Sequence, residues 1–127
     1  MLSKRGKKAT IKLIDFGLSR QFFSYNANKG MDYIRMETRA GTKLYMAPEV
    51  FSGNYSNACD IWSLGVILFI MVSSDIPFKG EEVDEIKESI INIRYDFEKP
   101  VWRKISTECQ DLISKMLVEE SERISPK

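Results

Sequence analysis

The sequence contains no histidine. That absence excludes any mechanism that needs an imidazole base, an imidazole metal ligand or a serine–histidine pair. Cysteine is nearly absent too, with only Cys59 and Cys109. Two thiols cannot make a four-cysteine zinc site and are too sparse for a disulfide scaffold, so they read as free thiols in a reducing compartment. Neither sign of charge dominates. Nineteen Lys and Arg against 18 Asp and Glu leave a formal charge of +1, which gives no global pull toward nucleic acid or an anionic membrane. A long hydrophobic run is also missing. The most apolar stretch, Ile61 to Val72, is interrupted by Ser63 and Gly65 and bounded by Asp60 and Asp75. At 1.5 Å rise per residue it reaches about 18 Å, well short of a hydrocarbon core of roughly 30 Å. It reads as a helix buried all round in a globular protein, with no membrane span. Lys4, Arg5, Lys7, Lys8 and Lys12 crowd the start of the chain. No apolar core follows them, so they do not form a secretory signal. The cluster fits a solvated loop, or a nucleic-acid or nuclear-import patch.

What is present is ordinary. The 127 residues are 43% hydrophobic and 29% charged, the composition of one globular domain or part of one. Ala9 to Ile14 is a short strand candidate that ends at Asp15-Phe16-Gly17. Gln21 to Gly41 is polar and irregular. Pro48 opens a short helix through Phe51, and Gly53 to Asn57 is a turn. Ser56 or Asn57 caps the apolar helix that runs to about Val72. Ser73 to Gly80 is a connector. Glu81 to Ile91 places Val83, Ile86, Ile90 and Ile91 on one helical face. The acidic residues in its first turns suit the helix dipole, or offer a docking patch for a basic partner. Tyr95 to Trp102 is irregular. Ser106 caps a last helix to about Val118, whose buried face is Leu112, Ile113, Met116 and Leu117. Ser125-Pro126 commonly starts another helix.

Asp15-Phe16-Gly17 after a strand is weak alone. A carboxylate at a strand end is a hard oxygen ligand suited to Mg²⁺ that bridges nucleotide phosphates; the plainer reading is a turn with an exposed Asp. Further along come Gly41-Thr42, Tyr45 and Ala47-Pro48-Glu49. Asp60-Ile61-Trp62-Ser63-Leu64-Gly65-Val66, Pro77-Phe78 and Arg123 follow. In this order and spacing the chain resembles the protein kinase family over essentially its whole length. Gly-Thr-x-x-Tyr-x-Ala-Pro-Glu at 41–49 is similar to the Ser/Thr class. Asp-Phe-Gly-Leu-Ser at 15–19, Cys59-Asp60-Ile61-Trp62-Ser63 and Tyr95-Asp96-Phe97 resemble the calcium/calmodulin-regulated group. Within it, calcium-dependent protein kinases are the most similar.

The resemblance implies a mainly α fold, the C-terminal part of the α+β kinase fold. It consists of a short N-terminal β-hairpin remnant, an activation segment and helices, and residues 1–127 form one partial kinase domain. It implies transfer of the ATP γ-phosphoryl group to protein Ser or Thr, with ATP and Mg²⁺ as cofactors and a protein substrate as partner. By the same resemblance, Asp15 holds Mg²⁺, and Phe16 and Gly17 sit at the nucleotide. Residues 18 to about 46 are the activation segment. Thr42 supports catalysis beside the acceptor hydroxyl, and Gly41, Thr42 and Tyr45 shape the substrate pocket. Glu49 and Arg123 form a buried ion pair. Asp60 accepts hydrogen bonds from the catalytic-loop backbone. Thr38 is the phosphosite candidate, with Tyr33 and Ser24 as further ones. Ile70 and Leu44 stand where some arginine-directed kinases carry glutamates, and Ser74 stands where a Gly is common.

Other kinase parts do not occur in these residues. There is no Gly-x-Gly, and no Arg is followed by Asp, so the Gly-rich loop and the catalytic Asp are missing. Lys12 mimics the family's strand lysine but lies too close to Asp15 to be it. The expectation is a truncated gene product, a pseudogene product or a fragment, inactive alone. The alternative is a non-catalytic, pseudokinase-like binding module. No EF-hand loop occurs, so calcium/calmodulin or EF-hand regulation is possible in a complete protein but is not encoded here. The expected location is cytoplasmic, possibly nuclear.

Overall fold

A computed structural model describes residues 10–14, 16, 17, 19, 23–26, 30–33 and 43–126. The elements in chain order are strands β1 (Phe23–Asn26) and β2 (Gly30–Tyr33), then helices α1 (Pro48–Ser52), α2 (Ala58–Ser73), α3 (Val83–Ile91) and α4 (Thr107–Met116). Short 3-10 helices lie at Lys43–Tyr45 and Pro100–Lys104. The chain is mainly helical.

Two expectations at the N-terminal end need correction. Thr10 to Ile14 form no strand beyond an isolated bridge at Ile11. Ile11, Leu13 and Ile14 are all exposed, so no covering surface rewards the extended pattern there. Instead, β1 and β2 pair antiparallel inside the stretch read as irregular, with Phe23 opposite Tyr33 and Tyr25 opposite Met31. Phe23 and Tyr25, then Met31 and Tyr33, alternate on either side of the short gap Ala27-Asn28-Lys29 and are the hairpin signal; the surrounding Asn and Asp residues obscured it.

α2 organises the rest. Trp62, Val66, Phe69 and Ser73 fall at i, i+4, i+7 and i+11 and are buried, one face of a 3.6-residue period. Gly65 is where α4 crosses. A Cβ there would lie 2.9 Å from Met116 Cβ and 2.9 Å from Leu117 Cδ2, so the missing side chain lets the two helices touch. Ile113 and Leu117 of this crossing, with Ile90 of α3, complete the core. The expectation that α2 is buried all round fails among the described residues. Leu64 is 51% exposed, Ile67 42% and Met71 74%, because α4 covers one flank only.

Ends are set locally. Gly53 closes α1 with φ 76°, a left-handed position that suits glycine. Asn57 sits at the α2 N-cap but makes no side-chain cap bond; the hydroxyl of Ser56 accepts from Ala58 N at 3.2 Å instead. α3 starts at Val83, two residues later than its acidic run suggested. Glu82 is the cap, and Glu85 closes a reciprocal capping box. The run that suited a dipole thus also supplies two specific backbone acceptors. Ser106 Oγ caps α4 by accepting from Cys109 N at 3.2 Å.

Trp62, Phe69, Phe78, Tyr95, Phe97 and Trp102 form one aromatic cluster. Trp62 and Phe78 stack at 5.2 Å and 7°. Phe69 meets Trp102 at 4.7 Å, and Phe97 meets Trp102 at 4.6 Å. Such contacts contribute about 0.5–1.5 kcal/mol beyond area burial. The irregular segment around Tyr95 is therefore part of the core.

Candidate functional site

The described part of the site is a short segment held against the start of α2. The 3-10 helix Lys43–Tyr45 leads through Met46 and Ala47 into α1. Ser63 Oγ, one turn into α2, donates to Tyr45 O at 2.8 Å and lies 3.2 Å from Cys59 O. This serine interrupts the apolar run, and its hydroxyl pins the turn that carries Tyr45, whose side chain is partly open to solvent. Ala47 is fully buried and Val50 nearly so, which fixes the other end of the segment.

Glu49 and Arg123 meet across 74 residues of chain. Arg123 Nη1 donates to Glu49 Oε1 at 2.5 Å and Nη2 to Oε2 at 3.1 Å. The Arg123 side chain is wholly buried and that of Glu49 is 11% exposed. Arg123 also donates to Ala58 O and Val118 O, and its guanidinium lies 5.1 Å from the Trp62 ring centroid. A forked, planar cation can serve all of these partners at once; a lysine cannot. Close by, Ser56 Oγ donates to Glu120 Oε1 at 2.5 Å, which links the entry of α2 to the segment after α4. The Trp62 indole N–H is buried and finds no partner among the described residues.

Asp15, Thr38, Gly41 and Thr42 lie outside the described residues. Phe16 is 67% exposed, and Ser19 N donates to its carbonyl at 3.0 Å across a turn at Gly17. Asp60 is exposed in the first turn of α2. The Cys59 thiol lies 3.9 Å from its Oδ1. Burial first, then the Asp60 and Glu49 carboxylates, push the Cys59 thiol up to about 12. Cys59 is thus a neutral packing residue, and both cysteines are free.

A second charged group lies beyond α2. Asp75 Oδ2 accepts from Lys79 Nζ at 2.8 Å and from Lys99 Nζ at 2.5 Å. Those two hydrogen bonds hold its carboxyl at about 2, below the ordinary range. Sequence reasoning missed Ser63, the Ser56–Glu120 bond and this clamp. Ser63 alone carried a signal, as a polar residue inside an apolar helix.

The protein kinase domain family matches residues 1–127, and the chain belongs to that family. It is 40% identical over 126 residues to the serine/threonine-protein kinase PEPKR2 of Arabidopsis thaliana, covering 98% of this chain and 24% of that protein. It is 40% identical over 116 residues to calcium-dependent protein kinase 4 of Plasmodium berghei, covering 91% and 20%. It is 39% identical over 119 residues to serine/threonine-protein kinase 33 of Mus musculus, covering 92% and 23%. The chain therefore spans between a fifth and a quarter of the length of these relatives. The mainly helical architecture is that of the family's C-terminal lobe.

Proposed function

We propose that these residues serve a protein serine/threonine kinase, as the segment that presents the protein substrate and contributes the metal-binding carboxylate. The observation that carries this is the double attachment of the Tyr45 turn. Ser63 holds its carbonyl, and four residues on, Glu49 is fixed by Arg123. A substrate pocket formed by Gly41, Thr42 and Tyr45 needs such a rigid base.

The cofactors are ATP and Mg²⁺. The donor set fits a metal that arrives with its nucleotide. Asp15 is the sole carboxylate before Asp32, and among the described residues no group of three acids, cysteines or histidines could hold an ion by itself. Mg²⁺ usually takes one or two carboxylates plus phosphate oxygens and water. When bound, it would neutralise charge developing on the transferred phosphoryl group. Asp15 would hold it, and Phe16 and Gly17 would flank it. Thr42 would orient the acceptor hydroxyl, Asp60 would steady a catalytic loop, and phosphate on Thr38 would order the segment. The domain reading is residues 1–127 as one part of a kinase domain, in the cytoplasm or nucleus. Calcium regulation is suggested by relatives named calcium-dependent kinases. No helix among the described residues is long and apolar enough to cross a membrane.

A polypeptide of these 127 residues alone should not turn over ATP, because no base, phosphate cradle or pairing lysine lies within it. Two assays test the reading. The isolated chain with Mg²⁺-ATP and protein substrate should stay at background, and turnover that Asp15→Asn abolishes would contradict this. Grafted into the matching segment of the Arabidopsis relative, the chain should support phosphoryl transfer. A folded graft that is inactive would favour the second reading, a non-catalytic binding module. That alternative draws on α3, where Val83 is 50% and Ile91 44% exposed.

A further inference from the structure

The turn that carries Tyr45 also carries a charge that the fold leaves unused. From Lys43 through Ser74 only Lys43, Glu49 and Asp60 are charged. Glu49 is neutralised by the buried Arg123. Asp60 is the sole charge on α2, the helix against which the 3-10 helix Lys43–Tyr45 packs. Among the described residues, Lys43 is ion-paired to neither of these acids, nor to any other. Lys43 and Tyr45 are both exposed, while Leu44 between them is partly buried. The backbone beneath them is fixed twice. Lys43 O accepts from Met46 N at 3.1 Å, and Ser63 Oγ holds Tyr45 O at 2.8 Å. We propose that Lys43 is a specificity-determining residue, whose free ammonium selects protein substrates with an acidic side chain within two residues of the acceptor hydroxyl. The proposal rests on the reading of this segment as the substrate-presenting part of a kinase.

In that reading Thr42 stands at the acceptor hydroxyl, and Lys43 is the next residue in the chain. A flexible four-carbon stem carries its ammonium over the neighbouring substrate residues. A carboxylate arriving there meets an opposite charge and has no resident partner to displace. A lysine or arginine arriving there meets a like charge, and no free acid in the turn offsets it. Specificity is the difference between these two outcomes, so the repulsion counts as much as the attraction. The two backbone anchors matter because a loose turn would let the ammonium retreat from a cationic substrate. An exposed ion pair is weak, so the preference is graded, about two- to fivefold per charge.

The test is steady-state phosphorylation by the chain grafted into the Arabidopsis relative. Three serine peptides are compared that differ only in carrying Asp, Ala or Lys within two residues of the serine. Their kcat/KM should fall in that order, by about two- to fivefold per step. The change should lie in KM for the peptide and not in KM for ATP. Lys43→Glu should reverse the order, and Lys43→Gln should flatten it. Raising salt from about 50 to about 500 mM should narrow the spread, as screening of exposed charges requires and a merely structural role does not. Because Lys43 is exposed, both variants should melt like the parent graft; if the glutamate variant unfolds, Lys43→Gln decides. An active graft that is indifferent to the three peptides, or whose preference survives both substitutions, overturns the inference and leaves the kinase reading standing. A folded graft inactive toward every peptide counts against the kinase reading, and the inference falls with it.

Discussion

Arg123 uses five N–H bonds, two to Glu49, two to Val118 O and one to Ala58 O. Removing its partner leaves a buried charge unpaired, which is far worse than never having buried it. Glu49→Ala should therefore destabilise the chain by about 3–5 kcal/mol, read as a lower urea midpoint at unchanged slope. Arg123→Lys should also destabilise, because a single ammonium cannot fork to the carboxylate and reach both carbonyls. Ser74 makes the opposite case. It caps α2 at φ 56° and ψ 27°, where a Cβ crowds the following carbonyl by about 1–2 kcal/mol. Ser74→Gly removes that strain but loosens the unfolded chain, so a net gain of about 0.5–1 kcal/mol is expected in the same titration. Both residues were legible as letters in a motif, Arg123 as the partner of Glu49 and Ser74 as a departure from glycine. The reason Ser74 matters, a left-handed backbone, is a dihedral and leaves no trace in composition. Ser63 shows the same limit: its letter placed it on an apolar helix but not which carbonyl it would hold.

The helices were readable because periodicity survives in a single segment, as in Ile86 and Ile90 of α3 or Ile113 and Met116 of α4. Contacts between elements were not. Gly65 looks like a flaw in a helix, where alanine is favoured by about 1 kcal/mol. The crossing reverses the sign. An added methyl would meet Met116 Cβ and Leu117 Cδ2 at 2.9 Å; Met116 Cβ is fixed to the α4 backbone and cannot swing aside. Overpacking of this kind typically costs about 1–3 kcal/mol, so Gly65→Ala should lower the melting temperature despite its better propensity. The Asp75 clamp joins elements by charge. Lys79 and Lys99 hold the folded carboxyl at about 2, below the unfolded value of about 3.9. A depressed acid stabilises the fold at pH above the unfolded value. That contribution shrinks as pH falls from about 4 toward about 2. Asp75→Asn should thus lower the urea midpoint at pH 6, and by progressively less as pH falls toward about 2. Because both lysines are half exposed, added salt should narrow the difference at pH 6.

At the scale of the molecule, one core draws on all four α-helices, and both tryptophans sit in it. Trp62 lies on α2 and Trp102 in the 3-10 helix before α4, with Phe69 and Phe97 between them. Composition could announce a globular chain, and motif order could assign its family. Neither could say that Tyr95 and Phe97, in a segment without periodicity, close this cluster against Phe69 and Phe78. That closure has a measurable consequence. If the helices share the cluster, they unfold together, and the two indoles report the same event as the backbone. Fluorescence, near-ultraviolet and far-ultraviolet circular dichroism should give coincident urea transitions, the signature of a two-state domain. Phe97→Ala tests the linkage directly. It removes a partly buried ring that touches Phe69, Tyr95 and Trp102, so it should lower stability, by less than the about 3–5 kcal/mol of a fully buried Phe, and shift all three transitions by the same amount. A loss confined to the near-ultraviolet signal, with the helical transition in place, would show instead that the aromatic cluster and the helices are separate units.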